Sequence, residues 1–218
     1  MEPLFPPWSD TVFRVCLVLA ATGVLAMPVA AMLWVRTPYV TKENDPVDQP
    51  VAFDHRHHVR DDGIDCIYCH YEAERSAFAA APPTSVCMNC HSQVWQRSQR
   101  LEPVRASWFD DEPVRWQRVH QVPQFAYFDH SAHVSHGVGC VECHGRVDLM
   151  GQVHAVEPLT MSWCLGCHRD PAPHLRPPSE ITNMEWEPPP GTTRREMGEG
   201  IARELHVDPP VNCTGCHR

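Results

Sequence analysis

The longest uncharged run of the sequence lies close to its amino terminus and predicts a helix. Val15 to Val35 holds 21 residues without a charged side chain. As an α-helix this run is about 31 Å long, which matches the hydrocarbon core of a bilayer. Trp8 and Trp34 flank it as interfacial aromatic residues do, and Arg14 and Arg36 bound it. We expect an uncleaved transmembrane anchor over residues 15–35. The alternative, a cleaved signal peptide, is disfavoured because no A-x-A site follows the run.

Beyond the anchor, prolines separate short patterned segments. Residues 36–50 are expected to form an extended linker because three prolines disfavour helix there, Pro38, Pro46 and Pro50. Residues 170–190 are rich in proline and predict coil. A stripe of apolar residues four apart then predicts a helix from Arg194 to His206, namely Met197, Ile201 and Leu205.

The composition argues against an ordinary apolar interior and against a nucleic-acid surface. The chain has 22 Pro but only 7 Phe and 4 Tyr, so something other than side chains is expected to fill the interior. Lys and Arg number 18 against 27 Asp and Glu, which gives a net charge of −9. A nucleic-acid-binding protein needs a basic face to displace counterions from phosphates, so no nucleic-acid partner is expected.

Cysteine and histidine recur together in one pattern, CxxCH, which occurs five times. A random order of this composition would contain about 0.04 copies, so the repetition is not accidental. In c-type haem attachment, two such thiols bond the two vinyl groups of one porphyrin and the adjacent imidazole binds the iron. We therefore predict five c-type haems. The attachment residues are Cys66, Cys69, Cys87, Cys90, Cys140, Cys143, Cys164, Cys167, Cys213 and Cys216, and the proximal iron ligands are His70, His91, His144, His168 and His217.

Two other uses of paired cysteines fit less well. A secreted disulfide scaffold also has many cysteines, but disulfides do not require a histidine after every second cysteine. Structural zinc sites combine paired CxxC motifs, yet those pairs come in even numbers and do not need that histidine. Covalent haem attachment accounts for the whole motif.

An internal repeat lies between the linker and the proline-rich stretch. FDHRHHV at Phe53 to Val59 returns as FDHSAHV at Phe128 to Val134, and each copy precedes a glycine and two CxxCH motifs. We expect a multihaem cytochrome c, mostly coil with short α-helices wrapped around five haems, plus one N-terminal transmembrane helix. The predicted organisation is a stub (1–14), the anchor (15–35), the linker (36–50), a first dihaem module and connector (51–127), a second dihaem module (128–169) and a Pro-rich segment with the C-terminal fifth-haem motif (170–218).

The repeat also supplies candidate ligands for the far, or distal, side of each iron. Two histidines three residues apart on a helical turn project from neighbouring positions and can reach two different irons. The two HxxH pairs are His55/His58 and His130/His133. We expect His55 and His130 to face the haem attached just downstream, and His58 and His133 to reach another.

The fifth distal ligand is open among three residues. His120 in WQRVH is the first choice, His206 the second and Met161 the third. A methionine ligand would raise the reduction potential relative to two imidazoles. The remaining histidines have no pattern and are expected in solvent or beside the ligands: His57, His136, His154 and His174. If every iron is held by two side chains, no position is open to a substrate, so no catalytic residue is predicted and the chain by itself is not an enzyme.

One family shares the most distinctive stretches of the sequence. The longest such stretch reads WQRVHQVPQFAYFDHSAHVSHGVGCVECHGRVDLMG, and LTMSWCLGCHR follows it. Both resemble the membrane-anchored pentahaem cytochrome subunit of alternative complex III, which is a bacterial quinol:electron-acceptor oxidoreductase. FDHRHHV, CIYCH, TSVCMNCH and the terminal NCTGCHR are similar to the same family. The resemblance covers residues 50 to 170 and the last few residues. The preference for His120 rests on it, since WxRVH-type segments recur there.

The resemblance implies a subunit of a larger quinol-oxidising complex in respiratory or photosynthetic electron transport. The expected partners are an iron–sulfur protein, polytopic membrane subunits and a monohaem cytochrome, with onward transfer to a soluble periplasmic acceptor. Haem attachment takes place outside the bacterial inner membrane, so residues 1–14 are expected in the cytoplasm and the haem domain in the periplasm. The positive-inside rule decides little here, because Arg14 precedes the helix while Arg36 and Lys42 follow it.

Three other functions stay open. A stand-alone quinol dehydrogenase resembling the membrane-anchored tetrahaem family has the anchor and the dihaem repeats but lacks the fifth motif. A periplasmic multihaem reductase keeps one five-coordinate haem, commonly on a lysine, whereas the one lysine of this chain, Lys42, lies in the linker. An electron-storage cytochrome without a fixed partner is disfavoured by the anchor.

Overall fold

The amino-terminal helix is longer than the apolar run that predicts it. In a computed structural model, which describes residues 5–217, the chain forms two units, one ending at Lys42 and the other beginning at Glu43. Helix α1 spans Trp8–Trp34, so it begins seven residues before the predicted start. An ion pair of 2.9 Å between Asp10 and Arg14, four residues apart, extends the helix beyond the apolar run. By length and composition α1 suits a membrane span, a property that anchors and signal sequences share.

The prediction of an extended linker is wrong at one place. Pro38–Thr41 form a short helix, α2, and Lys42 ends it in the left-handed region at φ 62°. Pro38 occupies the first turn, where its missing N–H is not needed and its fixed φ suits a helix. Proline disfavours the interior of a helix, not its first turn.

Short helices joined by irregular chain make up the second unit. Its α-helices are α3 (Cys66–Cys69), α4 (Thr84–His91), α5 (Glu102–Asp110), α6 (His130–Ser135), α7 (Val141–His144), α8 (Met161–Arg169), α9 (Arg194–Glu204) and α10 (Cys213–Cys216). A π-helical turn spans Arg56–Asp61, and 3-10 turns span Tyr71–Glu74, Gln99–Leu101, Val147–Leu149, Ala172–His174 and Pro178–Glu180. Residues 5–217 contain no β-strand, only isolated bridges. The prediction of coil with short helices is confirmed.

Apolar burial in the described chain is sparse. The buried apolar side chains are Val51, Ala73, Val104, Met150, Ala155, Ala172, Leu175, Ile181 and Ile201. Several are alanines and none is aromatic, so they bury little surface for a unit of this length. This agrees with the expectation that side chains alone do not fill the interior.

The carboxyl-terminal third is more ordered than proline-rich coil. Helix α9 confirms the predicted helix, although it ends at Glu204 rather than His206, and Thr193 and Glu196 cap its start reciprocally. It packs on the turn Ala172–His174, inside the segment expected to be coil. The turns form there because proline fixes φ at a value that 3-10 helices also use.

Candidate haem-attachment sites

Each CxxC pair lies on a single helical turn. The pairs occupy α3, α4, α8 and α10, and in the third motif Cys140 caps α7 while Cys143 lies within it. Side-chain caps start two of these turns: Asp65 accepts a hydrogen bond from the Ile67 amide (2.8 Å), and Asn212 accepts one from the Gly215 amide (2.8 Å). Residues three apart on a helical turn share a face, so both thiols of a motif project to the same side. Within residues 5–217 no disulfide joins any two cysteines.

Backbone carbonyls fix the rings of four of the five histidines that end the motifs. A carbonyl oxygen only accepts hydrogen bonds, so Nδ1 carries the proton and Nε2 keeps its lone pair for a metal. This contact also sets the orientation of the ring, as metal-binding histidines require. The Nδ1–O distances are 2.9 Å from His70 to Ala80, 3.1 Å from His91 to Val94, 2.8 Å from His168 to Pro210 and 3.0 Å from His217 to Phe125.

Three of the four HxxH histidines are fixed in the same way. His58 Nδ1 lies 2.9 Å from the Asp54 oxygen, and His133 Nδ1 lies 2.7 Å from that of Asp129, four residues earlier in each case. His130 Nδ1 lies 3.0 Å from the Ala77 oxygen, which belongs to the first module. The loop that follows the first motif therefore helps to orient a histidine of the second module.

Three pairs of histidine rings lie at nearly the same separation. The ring centroids are 6.2 Å apart for His58 and His91, 6.3 Å for His130 and His144, and 6.1 Å for His133 and His168. A metal–imidazole bond is about 2.0 Å and the nitrogen lies about 1.2 Å from its ring centre. Two imidazoles on opposite sides of one metal therefore have centroids about 6.4 Å apart, which is close to the spacing found here.

The fourth expected pair, His55 with His70, is electrostatically coupled. Burial, together with the neighbouring imidazoles of His70 and His58, lowers the pKa of His55 to about 4. The Nδ1 atom of His55 is buried and has no hydrogen-bond partner. Burial likewise lowers the pKa of His144 to about 3. Both rings are therefore neutral at pH 7, which is the form that binds metal.

A phenylalanine holds both histidines of each HxxH pair. The ring of Phe53 lies 4.8 Å from that of His55 at 81° and 4.3 Å from that of His58 at 21°. In the second copy Phe128 lies 4.7 Å from His130 at 88° and 4.5 Å from His133 at 26°. The sequence repeat thus gives a repeated geometry, in which the conserved spacing between the phenylalanine and the two histidines positions both imidazoles.

The fifth pair is not assembled in this way. The ring of His120 lies 4.3 Å from that of His144 at 79°, which is too close for both to bind one metal between them. Its Nε2 atom is buried without a hydrogen-bond partner. His206 follows α9 at the surface with φ 52°, and Met161 is 65% exposed. The structure places His120 beside the third motif. The distal ligand opposite His217 therefore stays a prediction.

Sequence reasoning missed a group of charges beside the third motif. Glu142, the third residue of CVECH, accepts hydrogen bonds from Arg176 (2.8 Å), His174 (2.9 Å) and Arg194 (3.4 Å). From the sequence, His174 is expected in solvent or beside the iron ligands, and not in a group of charges. No local pattern signals this group, because its members come from α7, the proline-rich segment and α9.

These residues fit the haem that the motifs imply. The thiols are paired on one face, the Nε2 lone pairs are available, and facing rings leave room for one metal between them. Within residues 5–217, no three His, Cys, Asp or Glu side chains converge as a zinc site requires. The Cys pairs would hold the porphyrins and the facing histidines would bind the irons. When bound, such a haem supplies reversible one-electron chemistry.

Known proteins are similar to part of the chain. Residues 126–218 match the family model described as cytochrome c7 and related cytochrome c. A 98-residue stretch is 34% identical to the multihaem cytochrome c subunit of menaquinone reductase from Nitratidesulfovibrio vulgaris (strain Hildenborough). That alignment covers 44% of this chain and 46% of the relative, so it spans less than half of either protein. Residues 126–218 are therefore similar to cytochrome c7.

Proposed function

We propose that this chain is a membrane-anchored pentahaem electron-transfer subunit of a quinol-oxidising complex of the alternative complex III type. It receives electrons from iron–sulfur and polytopic membrane subunits and passes them to a monohaem cytochrome or a soluble periplasmic acceptor. The cytochrome c7-like region supports the cofactor type, and the relative's name supports a link to quinone chemistry. The finer assignment, to alternative complex III, rests on the resemblance of residues 50 to 170 to the pentahaem subunit of that complex.

The spacing of the histidine rings is the observation that carries this proposal. Three pairs with centroids 6.1 to 6.3 Å apart suit irons bound by two imidazoles each. We assign His55, His58, His130 and His133 as distal ligands. The fifth is proposed among His120, His206 and Met161, with His120 as the first choice although its ring lies beside His144. Two imidazoles on each iron leave no place for substrate, so the chain transfers electrons and catalyses no reaction by itself.

Each part of the chain has a defined task in this proposal. Backbone carbonyls hold the imidazoles so that Nε2 points to the iron, and the cysteine pairs fix the porphyrin edges. Helix α1 anchors the chain in the bacterial inner membrane with residues 1–14 in the cytoplasm. The second unit then lies in the periplasm, where haem is attached.

Haem counting and spectroscopy test the cofactor assignment. The full chain, produced with the cytochrome c maturation machinery and purified in detergent, should contain five haems per polypeptide by pyridine haemochrome assay. Its ferric EPR spectrum should be low-spin throughout. Fewer than five equivalents, or a dominant high-spin signal that shifts on adding cyanide, would contradict the assignment.

A second candidate follows from the relative's printed name. A menaquinone reductase passes electrons towards quinone, the reverse of the direction proposed here. Adding menaquinol to the complex purified from native membranes should reduce the haems of this chain, and the isolated chain should not react. Haems that are reduced only by a different donor, and then reduce menaquinone, would favour the second candidate. Oxidation of menaquinol by the isolated chain would instead favour a stand-alone quinol dehydrogenase.

A further inference from the structure

The most buried charged side chain described in the protein lies against the third motif. Arg176 is 1% exposed, and its guanidinium donates to Glu142 Oε1 (2.8 Å) and to the Asn183 carbonyl oxygen (2.9 Å). It also lies 5.3 Å from the ring centre of Trp186. A buried guanidinium that keeps its charge needs such partners, because transfer out of water is costly.

The backbone of the third motif is shaped around this guanidinium. The Arg176 amide donates to the Gly137 carbonyl oxygen (2.8 Å), and Val138 bridges to Leu175. Gly139 precedes Cys140, and a side chain there would overlap Arg176 Nε. That Nε atom is buried and has no hydrogen-bond partner. Glycine at position 139 therefore lets a positive charge lie directly beside a haem-attachment cysteine.

The carboxylate of Glu142 lies between the two cysteines of the same motif in the sequence. Its side chain is 15% exposed and is surrounded by Arg176, His174 and Arg194. The carboxylate of Glu142 is therefore held by three groups that can carry positive charge, and Arg176 is the most buried of them.

We propose that Arg176 and Glu142 are an opposed pair of buried charges that sets the reduction potential of the haem attached at Cys140–His144. Reduction adds one negative charge at the iron. The cation of Arg176 therefore raises the potential and the anion of Glu142 lowers it, in an interior where charges are weakly screened. This assignment rests on the proposed function, since it requires a haem at the third motif.

Opposite charge changes give the sharpest test. In full-length protein, Arg176→Gln should lower the midpoint potential of one haem, and Glu142→Gln should raise the potential of the same haem. Each change should alter its reduction equilibrium constant about tenfold, or about 59 mV for one electron. Arg176→Lys keeps the charge, so the potential should stay near that of the parent. It should still lower the stability, because lysine cannot make the same hydrogen bonds. Arg195→Gln removes an exposed arginine paired with Asp170 and should shift no haem.

EPR-monitored potentiometry can follow the third haem by its ligand geometry. The rings of His130 and His144 are only 10° from parallel, whereas those of His58 and His91 are at 72°. Near-parallel imidazole planes give a rhombic low-spin signal, which separates this haem from one with near-perpendicular planes. The haem whose potential shifts should have a rhombic signal and not the signal of near-perpendicular planes.

The outcomes separate the charge assignment from the proposed function. Shifts in the same direction, or no shift in either Gln variant, would mean that the pair is only structural and would overturn the inference. If Arg176→Gln loses the haem, the raised potential expected of Glu142→Gln and the unchanged potential expected of Arg176→Lys decide the question. Mass spectrometry of the parent chain showing unmodified Cys140 and Cys143 would instead remove the third haem and contradict the proposed function.

Discussion

At the scale of single residues, backbone carbonyls determine which nitrogen is available in seven of the nine CxxCH and HxxH histidines. An imidazole can present either nitrogen to a metal, and a carbonyl at Nδ1 leaves only Nε2. His58 and His133 receive this contact from the residue four positions earlier, so their own helical turn supplies it. His168 and His217 receive it from distant segments, at Pro210 and Phe125. Ligand orientation at the last two motifs thus depends on the completed fold.

Removing one distal imidazole should convert one haem to a high-spin form. In His133→Ala the ring 6.1 Å from His168 is lost, so the iron facing His168 would keep one protein ligand. A high-spin ferric EPR signal from one haem in the chain is expected, with haem content unchanged. His136→Ala is the matched control, because His136 ends the same helix and was not assigned as a ligand. A fully low-spin spectrum in His133→Ala, or a high-spin signal in the control as well, would contradict the assignment of His133 as a distal ligand.

At the scale of elements, one inserted residue distinguishes the two copies of the repeat. Five positions separate His58 from Gly63, and four separate His133 from Gly137. The first copy takes up the extra residue as a π-helical turn over Arg56–Asp61, whereas the second forms the regular helix α6. Both glycines adopt positive φ, 68° and 81°, so each turn ends in the same way. The histidines keep their spacing because the insertion follows them.

Two glycines of α9 differ in what a methyl group would meet. A side chain at Gly198 would overlap the Ala172 carbonyl, whereas nothing lies within 4 Å of a side chain at Gly200. Gly198→Ala should therefore push α9 off the turn Ala172–His174 and lower the free energy of unfolding by about 1–3 kcal/mol. Gly200→Ala should raise it by about 0.5–1 kcal/mol through helix propensity. Denaturant titration of both haem-loaded variants checks this, and equal effects would contradict the packing.

The sequence predicts local features of this fold better than distant ones. CxxCH and HxxH place their side chains within one helical turn, so their spacing alone indicates their arrangement. The burial of Arg176 depends on Glu142, 34 residues away, and on Asn183, so no window of sequence reveals it. His120 has a recognisable motif, but its approach to His144 depends on an irregular connector. The start of α1 at Trp8 was missed because helix formation does not require apolar residues.

At the scale of the whole molecule, ion pairs connect segments of the chain that share few apolar contacts. Asp148 has a side chain only 8% exposed and binds Arg146 at 2.7 Å, with Arg60 at 3.6 Å. The hydrogen bond from Arg146 lowers the pKa of Asp148 from its usual value of 3.8, and the charges of Arg146 and Arg60 lower it further. Asp148 therefore stabilises the fold above pH 3.8, and this contribution is lost as the pH falls through its lower folded pKa.

Asp148→Asn should reduce the free energy of unfolding by about 2 kcal/mol at pH 7. The difference from the parent should shrink below pH 4, since the carboxylate is then protonated in the unfolded chain and, at lower pH, in the folded protein as well. Denaturant titrations of the ferric parent and variant, at pH 7 and at a pH below 4, measure this difference in the free energy of unfolding. Glu187→Gln is the control, because Glu187 pairs with Arg194 at an exposed position and should matter little. A difference that stays constant or grows on acidification would contradict the role of Asp148.

The sparse apolar core implies that the haems themselves complete the interior of the second unit. The buried apolar residues are small, and a chain of this length must offset a large loss of conformational entropy to fold. Replacing all ten motif cysteines with alanine should therefore leave residues 43–217 without a cooperative unfolding transition and open to protease. Cys16→Ala, which changes the cysteine outside the motifs, should keep haem, cooperativity and protease resistance. Protease resistance is the better measure, because α1 contributes helical signal in both proteins. A haem-free variant that resisted protease like the parent would show that side chains alone fill the interior.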